Sequence, residues 1–301
     1  MSHPKNLILF VLTAIFILTG YSPLNSGFEG YEELSPKSIS QMDDFAGRSV
    51  VFSDISYGTG EHQTYDIYLP VNRDHRKTRV VILLHGGGWI NGDKINLNDM
   101  VATLLERMPD VAIVNMNYTL ADAENFAFPT QFLDVGKVID HVSMLSDSFQ
   151  ILPEFGIVGR SAGGHIGLMY DSVFDTDNKV KFVTSIAGPT DFTDPYLNRA
   201  DNFEELLGLL VDPTAYSEDP LESLSPLHNI NIFTSPRLLI YGQDDKKVPM
   251  SNGVNYSSAL EDAGIKMRFK EFDAGHSNSW NDTQWNEAYD QIEEYVSLFL
   301  R

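Results

Sequence analysis

The stretch GRSAGGH, residues 159–165, decides the fold because it places a serine between glycines where a strand turns into a helix. The preceding PEFGIVG predicts a short strand, and the following HIGLMY predicts the start of a helix. A serine at such a junction is either a helix cap or an exposed nucleophile. The tight turn that exposes a nucleophile leaves no room for side chains two residues to either side, which explains Gly159 and Gly163.

Apolar runs alternate with helical patterns on both sides of this turn. Continuous runs such as RVVILLH are typical of strands buried on both faces. Apolar residues recur at helical spacing over 132–145 and 285–299. Alternating strands and helices predict an α/β fold, a mainly parallel sheet with helices on both faces. The predicted strands are SVVFSDISY and TYDIYLP, which form an antiparallel entry, then RVVILLH, VAIVNMNY, FGIVG, VKFVTSIAG, PRLLIYG and MRFKEF.

One segment, residues 189–235, interrupts this alternation. It is rich in Pro, Asp and Ser, and it contains only one or two short helical patterns, for example around 203–210. A connection of this length usually has a function of its own. We expect a small lid-like insertion over the sheet edge where ligands bind.

A second motif, HGGGW at residues 85–89, follows the strand RVVILL directly. Three glycines after a central strand allow the backbone to turn with its N–H groups toward a ligand, as an oxyanion hole requires. We assign the N–H groups of Gly87 and Gly88 as donors, and that of Ala162 as the third. The alternative is a flexible glycine loop without a catalytic role.

An acid and a base should follow the serine in chain order. Two neighbouring acids, Asp244 and Asp245, compete for the first role just beyond the strand LLIYG. His276 in AGHSNSW follows the last strand and is the candidate base for Ser161. We interpret His85 and His165 as structural residues.

The N-terminal residues 1–22 predict a secretory signal. A basic start precedes an apolar run of twelve residues over 7–18, which is shorter than the roughly 20 residues of a membrane span. We therefore expect export to the periplasm or the extracellular space, with no stable membrane span after signal removal; an uncleaved anchor is the alternative. Residues 23–47 are interpreted as a linker or N-terminal arm, and residues 48–301 as one large α/β domain.

Composition narrows the possible partners. The net charge of −21, from 42 acidic and 21 basic residues, argues against binding to nucleic acid or to anionic membranes. The absence of cysteine excludes a disulfide framework.

With these motifs the chain resembles the α/β-hydrolase superfamily, in particular HGGGW-type serine esterases related to hormone-sensitive lipase and to bacterial feruloyl and acetyl-xylan esterases. The resemblance runs from about residue 57 to the C-terminus and includes YDIYLP, LLHGGGWINGDK, FPTQFLDV, GRSAGGH, AGPTDF, YGQDDKKVP and AGHSNSW. It implies an eight-stranded fold, a Ser-His-Asp triad, and no metal or organic cofactor. The family's acid lies three residues after the strand-end glycine and before a Val-Pro pair, which implies Asp245 rather than Asp244.

Two positions depart from the pattern of this family. Thr119 in NYTL replaces the usual arginine, with an expected effect on local packing only. Arg160 lies beside the nucleophile where many relatives carry a small or acidic residue, and a cation there could favour an acidic substrate group.

The expected function is hydrolysis of carboxylic esters through an acyl-enzyme intermediate, on a small-molecule or carbohydrate-linked substrate. An amidase or peptidase with the same triad is one alternative. A non-catalytic binding protein on a hydrolase fold is the other, because fold alone does not fix function.

Overall fold

Eight strands form one sheet in the computed structural model, which describes residues 49–197, 203–216 and 220–300. The signal peptide predicted for 1–22 and the arm predicted for 23–47 lie outside the described residues. The strands run in the order β1-β2-β4-β3-β5-β6-β7-β8, and β2 runs opposite to the other seven strands. The predicted, mostly parallel eight-stranded sheet is therefore confirmed. The strands are β1 (Ser49–Ser56), β2 (Thr64–Pro70), β3 (Val80–Leu84), β4 (Ala112–Met116), β5 (Phe155–Arg160), β6 (Val180–Ile186), β7 (Arg237–Gly242) and β8 (Met267–Phe272).

Helices cover both faces of the sheet, as expected for parallel strands. They are α1 (Asn98–Arg107), α2 (Thr130–Met144), α3 (Ser146–Phe149), α4 (Ala162–Met169), α5 (Phe203–Leu210), α6 (Pro220–Ser223), α7 (Met250–Asp262) and α8 (Asp282–Phe299). Short 3₁₀ turns lie at Lys94–Leu97, Pro226–Asn229 and Ser277–Ser279, and a π-helical turn lies at Tyr170–Phe174. Buried side chains of α1 and α8 belong to one core, and those of α2, α4 and α7 to the core on the opposite face.

The central strands β3 and β5 position the carboxyl edge of the sheet. All five residues of β3 are buried, which matches the continuous apolar run in the sequence. Leu84 at the end of β3 pairs with Gly159 in β5 on one side and with Met116 in β4 on the other. The carboxyl ends of β3 and β5 therefore lie side by side, with β7 and β8 running parallel to them further along the sheet. In α/β sheets this edge is where ligands bind.

The connection between β6 and β7 contains α5, α6 and one 3₁₀ turn. The helix predicted around 203–210 is confirmed as α5. The Leu227 N–H donates to the Thr190 carbonyl at 2.9 Å and so ties the end of the connection to its beginning. A lid function for 189–235 stays a prediction. Within the described ranges, no helix has both the length and the apolar character that crossing a membrane requires.

Candidate active site

Ser161 occupies the sharp turn between β5 and α4. Its backbone has φ 54° and ψ −121°, outside the regions that L-residues favour. The turn also requires its glycines, because a Cβ at Gly159 would collide with the Gly163 carbonyl, and one at Gly163 with the Leu84 carbonyl. The Ser161 side chain makes no capping hydrogen bond to α4. The geometry therefore favours the nucleophile interpretation over the helix cap.

The three triad candidates form one chain of hydrogen bonds. The His276 Nε2 lies 3.0 Å from the Ser161 Oγ, and the His276 Nδ1 lies 2.6 Å from the Asp245 Oδ2. Both distances lie within hydrogen-bond range. With Nδ1 protonated and donating to the carboxylate, Nε2 is free to accept the serine proton, as a general base must.

Between the two candidate acids, the geometry separates Asp245 from Asp244. The Asp245 carboxylate is fully buried, and its Oδ1 accepts hydrogen bonds from the backbone N–H groups of Lys247 and Val248 at 2.8 and 3.0 Å. These two bonds hold Oδ1 so that Oδ2 faces His276. Asp244 is exposed, and its backbone N–H donates to the Ala274 carbonyl.

The loop that carries His276 is fixed at both ends. The Trp280 Nε1 donates to the Gly275 carbonyl at 3.0 Å, and the Ser279 N–H and Oγ both donate to the His276 carbonyl at 2.8 Å. A Cβ at Gly242 would collide with the carbonyls of Ala274 and Gly275. The end of β7 and the histidine loop are therefore packed backbone against backbone, which sets the position of the imidazole.

The glycine motif approaches the nucleophile through its first glycine. A Cβ at Gly86 would lie 3.1 Å from the Ser161 Cβ, whereas one at Gly88 meets no atom within 4 Å. Gly87 and Gly88 have φ of +136° and +61°, conformations that glycine adopts readily. Gly86 belongs to the same motif but was not among the residues predicted for the site. Gly87 directly follows Gly86 in the chain. The donor roles of Gly87 and Gly88 stay predictions.

Ala162 is the first residue of α4. The N–H groups of the first helical turn have no acceptor within the helix, and the helix dipole adds positive potential there. The Ala162 N–H directly follows Ser161 along the backbone, which fits its predicted role as an oxyanion donor.

His85 and His165 support the glycine loop. The His85 ring stacks on Tyr118 at 4.2 Å between centroids, and the Tyr118 hydroxyl donates to the His85 carbonyl at 2.7 Å. His165 accepts from the Trp89 Nε1 at 3.2 Å, and its own Nε2 donates to the Leu224 carbonyl at 2.8 Å. Burial lowers the pKa of each histidine to about 4, so both rings are neutral at pH 7.

Thr119 has a role that the sequence did not reveal. Its hydroxyl and its N–H donate to the Asp134 Oδ2 at 2.7 and 2.9 Å. Gln63 and Lys137 donate to the Asp134 Oδ1 at 2.8 and 2.9 Å. The buried Asp134 carboxylate is therefore satisfied by two polar side chains and one lysine, and it needs no arginine at position 119.

Gln131, within the FPTQFLDV motif, braces the same region. Its Nε2 donates to the carbonyls of Trp89 and Thr119, both at 2.8 Å. The motif pointed to this residue, but its contacts reach 42 positions along the chain and are not visible in the sequence. Across 49–197, 203–216 and 220–300, no three His, Asp or Glu side chains are grouped in a way that could hold a metal ion.

Comparison with known proteins identifies the family of this chain. The family model BD-FAE matches residues 65–260, more than half of the chain, from β2 into α7. The chain belongs to the BD-FAE family. The α/β-hydrolase resemblance predicted from the sequence is thereby confirmed.

Curated relatives include Esterase LipQ of Mycobacterium tuberculosis, 25% identical over 232 residues that cover 70% of this chain and 53% of LipQ. The chain thus spans about half the length of that relative. Kynurenine formamidase of Danio rerio is 25% identical over 222 residues, which cover 72% of this chain and 71% of the relative.

Solved structures share the fold of this BD-FAE member. A truncated form of a carbohydrate esterase from gut microbiota has a TM-score of 0.67 at 21% identity and covers 87% of this chain and 99% of its own. An esterase structure from Rhizomucor miehei has a TM-score of 0.69 at 19% identity, with 84% of each chain covered. At these identities the structures show the α/β-hydrolase fold.

Proposed function

We propose that this protein is a serine hydrolase that cleaves carboxylic esters through an acyl-enzyme intermediate. The observation that carries the proposal is the hydrogen-bond chain from Ser161 through His276 to the buried Asp245. This order of nucleophile, base and orienting acid activates a hydroxyl that is otherwise a poor nucleophile.

In the first half of the reaction, the Ser161 Oγ attacks the ester carbonyl carbon while the His276 Nε2 takes the hydroxyl proton. The carbonyl oxygen gains negative charge, which the N–H groups of Gly87, Gly88 and Ala162 are proposed to stabilise. The tetrahedral intermediate then collapses, the bond to the alcohol oxygen breaks, and His276 returns the proton to the leaving alcohol.

In the second half, water replaces the alcohol. His276 takes a proton from the water, whose oxygen attacks the acyl carbon, and the proton then passes to the Ser161 Oγ as the acid leaves. Asp245 holds the Nδ1–H tautomer and stabilises the transient imidazolium in both halves.

The relatives favour esters over amides. LipQ and the carbohydrate esterase are named for ester hydrolysis, and we propose a small-molecule or carbohydrate-linked ester as substrate. The formamidase relative supports amide hydrolysis as the second candidate. An intact triad argues against the non-catalytic binding protein.

Hydrolysis of para-nitrophenyl esters over a series of acyl lengths, beside matched anilides and sugar acetates, tests the proposal. We expect wild type to hydrolyse esters. Ser161→Ala should lose most of this activity and keep only a residual rate enhancement of roughly 10³–10⁴ over water. Ser143→Ala is the matched control, because its hydroxyl donates to the Ile139 carbonyl within α2, away from the triad. Full activity in Ser161→Ala would reject the proposal, and faster anilide than ester cleavage would favour the amidase.

We further propose that the chain is exported and acts in the periplasm or the extracellular space, with residues 1–22 as its signal. The basic start and the twelve-residue apolar run support this. Expression with and without residues 1–22, followed by fractionation and N-terminal sequencing, tests it. Retention of the full-length protein in the membrane fraction would favour the anchored alternative.

A further inference from the structure

A pocket of about 570 Å³ adjoins the triad on the side of α1 and α8. Two of its wall residues are direct chain neighbours of the catalytic candidates: Arg160 precedes Ser161, and Ser277 follows His276. The lining includes these two neighbours but neither Ser161 nor His276, so the reach of a bound group to the Ser161 Oγ is part of the inference below.

Arg160 is a partly buried cation without a carboxylate partner. Among the residues that the structure describes, no acidic oxygen lies within 4.0 Å of its guanidinium. By contrast, buried Arg237 pairs with Asp171, and Lys94 pairs with Asp54 and Asp66. Burial lowers the pKa of Arg160, opposed by the nearby Tyr289, although arginine stays charged in proteins. A desolvated charge of this kind is costly unless an anion accompanies it.

Ser277 gives an independent indication at the same wall. Its hydroxyl is fully buried and has no hydrogen-bond partner in the described part of the chain. Buried polar atoms are nearly always bonded, and an unpaired one in a pocket wall marks a place where a ligand oxygen or an ordered water binds.

The remaining walls define the body of the ligand. Leu97, Met100, Trp285 and Tyr289 supply apolar and aromatic surface. Asp99 and Asp282 also contribute to the lining, but both lie toward solvent, where water and salt screen their charge. Four neutral polar residues complete the lining: Asn96, Thr103, Asn278 and Asn286. The pocket thus combines a polar wall and some aromatic surface with one partly buried guanidinium.

We propose that this pocket binds a carboxylate of the substrate, so that the preferred esters carry an anionic group. Guanidinium groups bind carboxylates through paired, charge-assisted hydrogen bonds. The inference rests on the proposed esterase function and adds its substrate class.

Two matched substrate pairs test the proposal on either side of the ester. The first is para-acetoxybenzoate against para-acetoxybenzamide, which places the charge on the leaving group. The second is the para-nitrophenyl monoester of adipic acid against para-nitrophenyl adipamate, which places it on the acyl group. We expect wild type to favour the anionic member of at least one pair in kcat/KM by about tenfold or more.

Arg160→Gln should then lower the anionic-to-neutral ratio of kcat/KM by about 10- to 100-fold, the range for one lost charge-assisted hydrogen bond. Arg107→Gln is the matched control: Arg107 lies 5.7 Å from the Tyr289 ring centroid but already pairs with Asp290. Arg107→Gln should keep the anionic-to-neutral ratio of kcat/KM within about twofold of the wild-type ratio, because Arg107 is a surface charge that is already neutralised.

Equal turnover of both members of both pairs by wild type would overturn the inference, as would an equal loss on both members in Arg160→Gln. Calorimetric binding of para-acetoxybenzoate and para-acetoxybenzamide to Ser161→Ala gives a second readout that needs no change at Arg160. If wild type cleaves the anionic and neutral esters equally well, only this inference is refuted. Wild type that cleaves no ester refutes the proposed function as well.

Discussion

Replacing Asp245 with asparagine is expected to lower kcat/KM for ester hydrolysis by about 10⁴-fold. In the native site, Asp245 Oδ2 lies 2.6 Å from the His276 Nδ1, and Oδ1 accepts two backbone N–H groups. Asparagine keeps Oδ1 as the acceptor and therefore turns its amide N–H toward Nδ1. The imidazole must then carry its proton on Nε2, and it no longer accepts the proton of Ser161.

The effect on folding should be much smaller than the effect on catalysis. The Asp245→Asn variant would retain both backbone hydrogen bonds, so we expect the free energy of unfolding to change by about 1–2 kcal/mol at most. Urea unfolding checks this value, and initial rates on para-nitrophenyl acetate give kcat/KM for the same preparation.

Asp244→Asn is the control, because Asp244 is exposed and its backbone N–H bond to Ala274 does not depend on the side chain. It should keep kcat/KM within about twofold, as is usual for a surface substitution. Asp245→Asn with more than a tenth of wild-type activity, or an equal loss in Asp244→Asn, would refute the assignment of the acid.

Two further predictions concern stability. Gly163→Ala should lower the free energy of unfolding in urea by about 3 kcal/mol or more, because the added Cβ would collide with the Leu84 carbonyl. Gly208→Ala is the control: its Cβ would meet no atom within 4 Å, so the free energy of unfolding should not fall. Equal values for the two variants would contradict the packing argument. Burial lowers the pKa of His165 from 6.5 to about 4, so this residue takes up a proton on unfolding between these values. It should therefore contribute a fall in stability of about 1.4 kcal/mol per pH unit as pH decreases through this range. His165→Gln should remove about one proton from this pH dependence; an unchanged slope in His165→Gln would be evidence against a neutral buried ring.

The triad could be predicted from the sequence because each member follows a strand that can be recognised. Continuous apolar runs predict β5 and β7, the mixed stretch MRFKEF predicts β8, and parallel strands bring their carboxyl ends to one edge. Ser161, Asp245 and His276 each lie within four residues of such an end. The order along the chain then indicates their roles.

Other features could not be predicted because they depend on distant contacts. Helix α7 carries Gly253, which is unfavourable in a helix, yet a Cβ there would collide with the rings of Tyr241 and Phe269. The Asp134 site draws on Gln63, which is 71 positions away. The pocket beside the triad likewise combines Arg160 with Ser277, and no local pattern links the two.

The central claim is that Ser161 is a nucleophile activated by His276, and labelling with a fluorophosphonate probe tests it most directly. Digestion and mass spectrometry of the labelled protein should locate a single adduct on Ser161, and the rate of labelling should fall by several orders of magnitude in His276→Ala. Labelling on another residue, or ester hydrolysis that persists at the wild-type rate in Ser161→Ala, would contradict the account.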